Sequence, residues 1–237
     1  MKSVLCCTCF IGVTKKGTEF RTARYKKWIE YYCRKMENLG VEKITMMDDC
    51  SNVWDLQNDV VICPVGGPLP ASLNPQEFDA MSYPNDRPFM FRFGNHLGRL
   101  DVANYPGWWR SFTFCAAVAK NYGFEKIVFI ESDAYVKSSR LCEYIKGLTD
   151  GWTVLWNPIL QFPETSIQII CKEQIDVLFK YYEMGEDFWC KKRTTSEFAE
   201  HILPFTNICK EFKGDRYMEW GKDVPLDADY SCQEECV

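Results

Sequence analysis

Hydrophobic and polar positions fall into two recurring patterns along this chain. Residues 4–11 form a short, continuous apolar run that reads as a buried β-strand. Residues 22–37 carry Tyr25, Trp28, Ile29, Tyr32 and Met36 at three- and four-residue spacing, which predicts an amphipathic helix ended near Gly40. A strand over 43–47 closes on Asp48-Asp49-Cys50-Ser51, and another over 59–63 is stopped by Pro64 and Gly66-Gly67. Residues 64–105 are rich in proline and glycine with little periodicity, and read as a long loop. The spacing then predicts a helix over 107–122, a strand over 126–130 and a helix over 138–146. Strands over 152–156 and 166–171, helices over 173–183 and 196–203, and a strand over 207–212 precede a tail.

Strands separated by helices predict an α/β fold: a Rossmann-like, mostly parallel twisted sheet with helices on both faces. No repeat or clear linker interrupts the pattern, so one domain over 1–237 is expected. Sheets of this kind bind ligands at the carboxyl ends of their strands, where the connecting loops gather. The acidic stretches at 48–49 and 131–133 both fall at such ends.

Composition narrows the partners. The formal charge of −5 argues against a nucleic-acid backbone as the main ligand. No apolar run approaches the roughly 20 residues that span a bilayer, and the start lacks a signal-peptide cleavage site. Thirteen cysteines are present, an odd number, and most sit in apolar stretches, as do Cys63, Cys115 and Cys171. Reduced, buried thiols in a cytoplasmic protein are the expectation. On a strand, Cys7 of Cys6-Cys7-x-Cys9 is expected to face away from Cys6 and Cys9. With only two histidines in the chain, this group reads as structural. Cys232 and Cys236 read as part of a frayed tail.

The sharpest chemical signal follows the strand Ile127-Val128-Phe129-Ile130. Four consecutive apolar residues suit a central strand buried on both faces, and the chain then turns through Glu131-Ser132-Asp133. Two carboxylates bent toward one point at such a turn can hold Mg²⁺ or Mn²⁺ against a diphosphate. The alternative is that the two acids cap the next segment or are merely solvated.

This pattern resembles the GT-A class of glycosyltransferases, in which an apolar strand ends in a D-x-D motif. The segment 41–51, ending in Asp48-Asp49-Cys50-Ser51, is similar to the second strand of family 2-like members and its D-D-x-S ending. The segment 110–133 looks like the helix, turn and strand leading into D-x-D, with Glu131 in place of the first Asp. The resemblance implies a nucleotide-sugar donor (UDP-, GDP- or dTDP-sugar), a divalent cation, and a glycan, lipid-linked or protein acceptor. It divides the chain into a donor half over 1–135 and an acceptor half with a C-terminal tail over 136–237. Asp49 would orient the base or ribose, Arg110 would face the donor phosphates, and Thr8, or equally Cys9, would touch the nucleotide. Glu131, Ser132 and Asp133 would hold the diphosphate through the metal, with Asp133 as the direct ligand and His201 completing the coordination. A general base for the acceptor hydroxyl would be Glu197 or Asp187.

Each residue also has a plainer reading. Asp48 or Asp49 suits a turn or cap, and Arg110 a surface ion pair. Thr194 and Glu197 have capping-box spacing. His201 suits a helix end; on the predicted helix it shares a face with Glu197. His96, Arg92 and Arg99 belong to the long loop and could line the phosphate side. Trp108 and Trp109 could stack on a sugar, although core packing is the default for such a pair. A nucleotidyltransferase that makes nucleotide sugars is a competing class. It usually opens with a glycine-rich loop, whereas residues 8–17 hold two well-separated glycines. A sugar-nucleotide-binding module without turnover is a third reading.

Overall fold

The computed structural model describes residues 1–11, 18–51, 60–65, 88–216 and 227–233. Among these the main sheet has eight strands: β1 (Ser3–Cys9), β2 (Lys43–Asp48), β3 (Val61–Val65), β4 (Phe89–Phe93), β5 (Lys126–Ile130), β7 (Trp152–Asn157), β8 (Phe162–Cys171) and β9 (Asn207–Cys209). Their order is β3-β4-β2-β1-β5-β8-β7-β9. The five strands from β3 to β5 are mutually parallel, and β7 pairs parallel with β9; β8 alone runs against its neighbours. The expected mostly parallel α/β sheet is therefore present. Strands from both sides of residue 135 belong to it.

Helices α1 (Thr18–Cys33), α2 (Met36–Leu39), α3 (Pro106–Tyr122), α4 (Ser139–Gly147), α5 (Glu173–Glu183), α6 (Glu186–Trp189) and α7 (Ala199–Ile202) connect the strands. Two apolar cores lie on opposite faces of the sheet. Tyr25, Trp28 and Tyr32 of α1 pack with Leu141 and Ile145 of α4 on one face. Phe112, Phe114 and Val118 of α3 pack with Ile175 and Leu178 of α5 on the other. The two-residue period of a strand sorts β1 between them: Leu5, Cys7 and Cys9 on the α1 side, Val4 and Cys6 on the α3 side. Cys7 and Cys9 thus share a face, contrary to the expectation, and it is Cys6 that points away. All three thiols are free and buried.

Several boundaries differ from the sequence reading. The predicted helix over 22–37 is two pieces, α1 and α2, the second ended by Gly40 at φ 66°. Strand β4 lies inside the stretch read as a loop. Its run Phe89-Met90-Phe91-Arg92-Phe93 is short and bounded by Pro88 and Gly94, but it is apolar enough to insert between β2 and β3. Pro64 does not stop β3. Among the described residues that strand is the sheet's edge and pairs with β4 alone, so a missing N–H is tolerated. Nor is the tail frayed as far as Cys232: β11 (Tyr230–Cys232) is fully buried. It pairs with β10 (Gly214–Arg216) and, antiparallel, with β6 (Tyr135–Val136), the strand that leaves the acidic turn. Cys236 lies outside the described residues. Among the described residues, no helix is long and apolar enough to cross a membrane.

Candidate active site

The carboxyl ends of β1, β2 and β5 lie side by side because the strands are parallel and in register. Cys9 is opposite Asp48, and Cys6 is opposite Phe129. Continuing that register brings Thr8 beside Glu131. The Thr8 hydroxyl donates to Glu131 Oε2 at 2.6 Å. These strand ends open into a cavity of about 510 Å³. Thr8, Glu131, Ser132 and Asp133 all line it, together with Phe10, Arg24, Asp49, His96, Arg99 and Trp108.

Further lining comes from β8 and α7. Between the pairs Leu155–Glu164 and Val154–Gln168, three residues of β8 have no counterpart on β7. This bulge carries Thr165 and Ser166 to the cavity wall. The Ser166 carbonyl accepts from the Glu131 N–H at 2.9 Å, tying the acidic turn to β8. Glu200 of α7 also lines the cavity and accepts from the Thr165 hydroxyl at 3.1 Å. Arg216 forks onto Glu164, with Nε 2.6 Å from Oε2 and Nη2 2.8 Å from Oε1, and reaches Glu200 at 3.5 Å. Glu164 is fully buried, so this bidentate pair is the strong kind.

Glu131 is held at both oxygens. Oε1 accepts from the Trp108 indole N–H and Oε2 from Thr8. Burial, followed by the charge of Asp133, pushes its carboxyl up to about 7, against the pull of those two hydrogen bonds. An indole N–H can only donate, so a proton on Glu131 would sit on Oε2 and reverse the Thr8 bond. Asp133 faces Arg24 of α1, Nη1 to Oδ2 at 3.3 Å. Burial raises the Asp133 carboxyl too, and Arg24 pulls it back down.

At the β2 end, Asp49 is enclosed by protein donors. Arg110 donates to Oδ1, as does the Leu97 N–H at 3.3 Å, and the Gly98 N–H donates to Oδ2 at 2.8 Å. His96 Nδ1 lies 2.9 Å from Oδ2 and 2.9 Å from the Asp49 carbonyl oxygen; two acceptors there fix its proton on Nδ1. The His96 ring stacks on Phe10, centroids 3.9 Å apart and planes at 20°. Arg110 is buried, lies over the Phe93 ring, and also donates from Nη1 and Nη2 to Asn95. It is not among the residues lining the cavity. Asp48 accepts from the Ser51 N–H at 2.9 Å and from its hydroxyl, the turn role read as an alternative. Arg92 binds the Ser51 carbonyl at 2.8 Å.

The remaining sequence candidates lie elsewhere. The helix expected over 196–203 is a 3₁₀ turn, Thr195–Glu197, and then α7, separated by Phe198 at φ −61°, ψ 156°. That extended residue breaks the shared face expected of Glu197 and His201. Glu197 accepts from the Thr194 N–H at 3.2 Å in a capping box and pairs with Lys191 at 2.7 Å. His201 is exposed, as is Asp187 in the first turn of α6, and none of the three lines the cavity. Trp109 is core, whereas Trp108 walls the cavity. Sequence reasoning missed Glu200, Arg216 and Arg24. Only Glu200 had a signal, as the carboxylate beside His201 after the capping box.

The donor set does not fit a cation gripped by both acids. Glu131 presents its oxygens to Thr8 and Trp108, Asp133 presents Oδ2 to a guanidinium, and His201 is exposed and does not line the cavity. Among the described residues, no group of three or more His, Cys, Asp or Glu side chains is placed to hold a metal ion.

Neither family models nor curated protein sequences give a match to the chain. Among solved structures, the fold is similar to a glycosyltransferase involved in glycosylation of the major capsid of PBCV-1. The TM-score is 0.48 and the identity 9%, over 98% of this chain and 93% of that one. It is also similar to a putative glucose-1-phosphate thymidylyltransferase from Bacillus anthracis, with TM-score 0.47 and 13% identity over 81% and 78% of the two chains. HddC from Yersinia pseudotuberculosis gives a TM-score of 0.31 and 10% identity over 76% and 80%. These are likenesses of chain path, and the chemistry of the cavity rests on its own residues.

Proposed function

We propose that this chain is a glycosyltransferase of the GT-A class that moves a hexosyl group from a UDP-, GDP- or dTDP-sugar to a hydroxyl of a glycan, glycolipid or glycoprotein. One observation carries the reading. The Glu131-Ser132-Asp133 turn after a buried strand opens, with Thr8 and the Phe10–His96 stack, into a cavity that also holds Glu200. The cavity volume falls within the roughly 300–1,000 Å³ of small-molecule sites. The Phe10–His96 pair offers a nucleobase a flat surface, and Asp49 keeps His96 in place. In transfer, the acceptor oxygen bonds to the anomeric carbon, the bond to the diphosphate oxygen breaks, and the acceptor proton needs a base. Glu200 suits that role better than Glu197 or Asp187, because its carboxylate lines the cavity. Thr165 and Arg216 orient it. Assistance by Mn²⁺ or Mg²⁺ is not part of this reading, since the acids are otherwise engaged.

Thermal-shift screening against the three classes of nucleotide sugar tests the donor. A ligand at about a hundred times its Kd adds about 2.7 kcal/mol to stability, a rise of several degrees in Tm. Release of nucleoside diphosphate that an acceptor accelerates then tests transfer. Glu200→Gln should lower turnover by about 10²–10⁴ while leaving donor affinity near wild type. No shift with any donor and no release would end the reading. A binding module without turnover is the second reading, favoured by the engagement of both Glu131 oxygens. It requires a donor-induced shift with no release at all.

A further inference from the structure

The cavity contains three guanidinium groups in very different states. Arg216 is committed through Nε and Nη2 to its fork onto the buried Glu164. Arg99 is exposed, with Nε on the Asp101 carbonyl at 2.9 Å. Arg24 is largely buried, with 22% of its side chain exposed, yet among the described residues its polar contacts are two long ones. These run to Asp133 at 3.3 Å and to the Tyr25 hydroxyl at 3.3 Å. Among the described residues its Nε is buried without a hydrogen-bond partner. A guanidinium has five donors in a rigid fork matched to planar and phosphate oxygens. One held in a cavity on a single long ion pair is under-coordinated, and a buried charge in that state favours any anion that enters. Tyr25 holds Arg24 from below. Its ring lies 5.2 Å from the guanidinium carbon, and its hydroxyl is anchored on the Phe10 backbone at 3.0 and 3.3 Å.

We infer that Arg24, steered by Asp133 and Tyr25, is the group that binds the diphosphate of the ligand, and that this binding needs no divalent cation. The inference rests on the cavity's being a nucleotide-sugar donor site and names the charge that this site uses. It follows from the disagreement described above: the acids that would grip a cation are occupied by Thr8, Trp108 and Arg24 itself. Asp133 is then a positioning residue. It holds the guanidinium in place when the cavity is empty, and keeps one edge of it when phosphate oxygens take the other.

Isothermal titration with inorganic pyrophosphate and with UDP and GDP, in EDTA and again with Mn²⁺, tests this directly. In EDTA the wild-type protein should bind pyrophosphate and at least one nucleoside diphosphate. Arg24→Gln should weaken both about tenfold to a hundredfold, the span of a charge-assisted hydrogen bond. Arg24→Lys should keep part of the affinity. Asp133→Asn distinguishes the two kinds of site even should the Arg24 variants fold poorly. It removes a competing anion, so in EDTA it should hold or improve pyrophosphate affinity, by up to about fivefold. At a metal site the same change would abolish binding. Affinity that appears only with Mn²⁺ and vanishes in Asp133→Asn would overturn the inference while leaving the donor reading intact. No binding of any nucleotide under either condition would bring down both.

Discussion

Two acidic pairs end the parallel strands that flank β1, Asp48-Asp49 at the end of β2 and Glu131-Ser132-Asp133 just past β5, and the fold treats them in opposite ways. At the β2 end the carboxylates are consumed. Asp48 closes a turn onto Ser51, and Asp49 gathers Arg110, His96 and two backbone N–H groups. At the β5 end the carboxylates meet fewer partners and stand in the cavity. A carboxylate with four donors is framework; at the β5 end the acids are tied to Thr8, Trp108 and Arg24, and it is the guanidinium on its single long ion pair that keeps donors to offer. The difference lies in what the adjacent loops supply. Residues 95–98 fold over Asp49, whereas β6 carries the chain away from Asp133.

Breaking that contrast should cost most at the β2 end. Asp49→Ala leaves Arg110 charged and buried without its partner, and should lower the unfolding free energy by about 3–5 kcal/mol in urea melts. A loss below about 1 kcal/mol would show that Asp49 is not framework. The next effect depends on pH. Folding raises the Glu131 carboxyl from 4.5 to about 7, so the protonated form is favoured in the native state. Its contribution is complete below pH about 4.5 and is lost as pH rises through 7, a span of up to about 3 kcal/mol. Glu131→Gln keeps the Trp108 and Thr8 bonds without the charge. It should match wild type at pH 5 and exceed it in stability at pH 8; equal urea midpoints at both pH values would refute the shift.

Gly107 sharpens the comparison from the helix side. A Cβ there would fall 2.2 Å from Asp49 Oδ2 and 2.8 Å from the Gly98 nitrogen. Gly107→Ala should cost about 1–3 kcal/mol through overpacking, despite alanine's better helix propensity. A more stable variant would mean that the Asp49 cluster is loose. The smallest effect belongs to Asp133→Ala, which removes a partly exposed, single-contact pair and should change stability by less than about 1 kcal/mol. Destabilisation equal to that of Asp49→Ala would erase the contrast between the two strand ends.

Much of the fold was legible because β5, α3 and α5 have strong, uninterrupted periodicity bounded by ordinary stop signals. Strand β4 was hidden by its proline- and glycine-rich surroundings, and β10 and β11 by being three residues each, too short for a period to register. Thr8, Glu131, Ser132 and Asp133 could be placed together from strand order alone. The fate of Asp49 and Arg110 could not be read, since it depends on a loop whose path has no local pattern. Arg24 lay in plain view on an amphipathic helix. Its significance comes from the distance to Asp133, more than a hundred residues away, which spacing along one element cannot encode.

The pairing of β11 with β6 has a consequence for how the protein is made. Ser231 sits against Tyr135, two residues after Asp133. The neighbouring Tyr230 hydroxyl donates to the Trp156 carbonyl at 2.9 Å. During synthesis the first two-thirds of the chain would emerge with the partner for β6 still untranslated. The parallel strands around β1 can assemble early, but the segment leaving the acidic turn gains its neighbour only when residues 230–232 clear the ribosome. Stalled nascent chains should therefore acquire the sheet before they acquire a finished cavity wall.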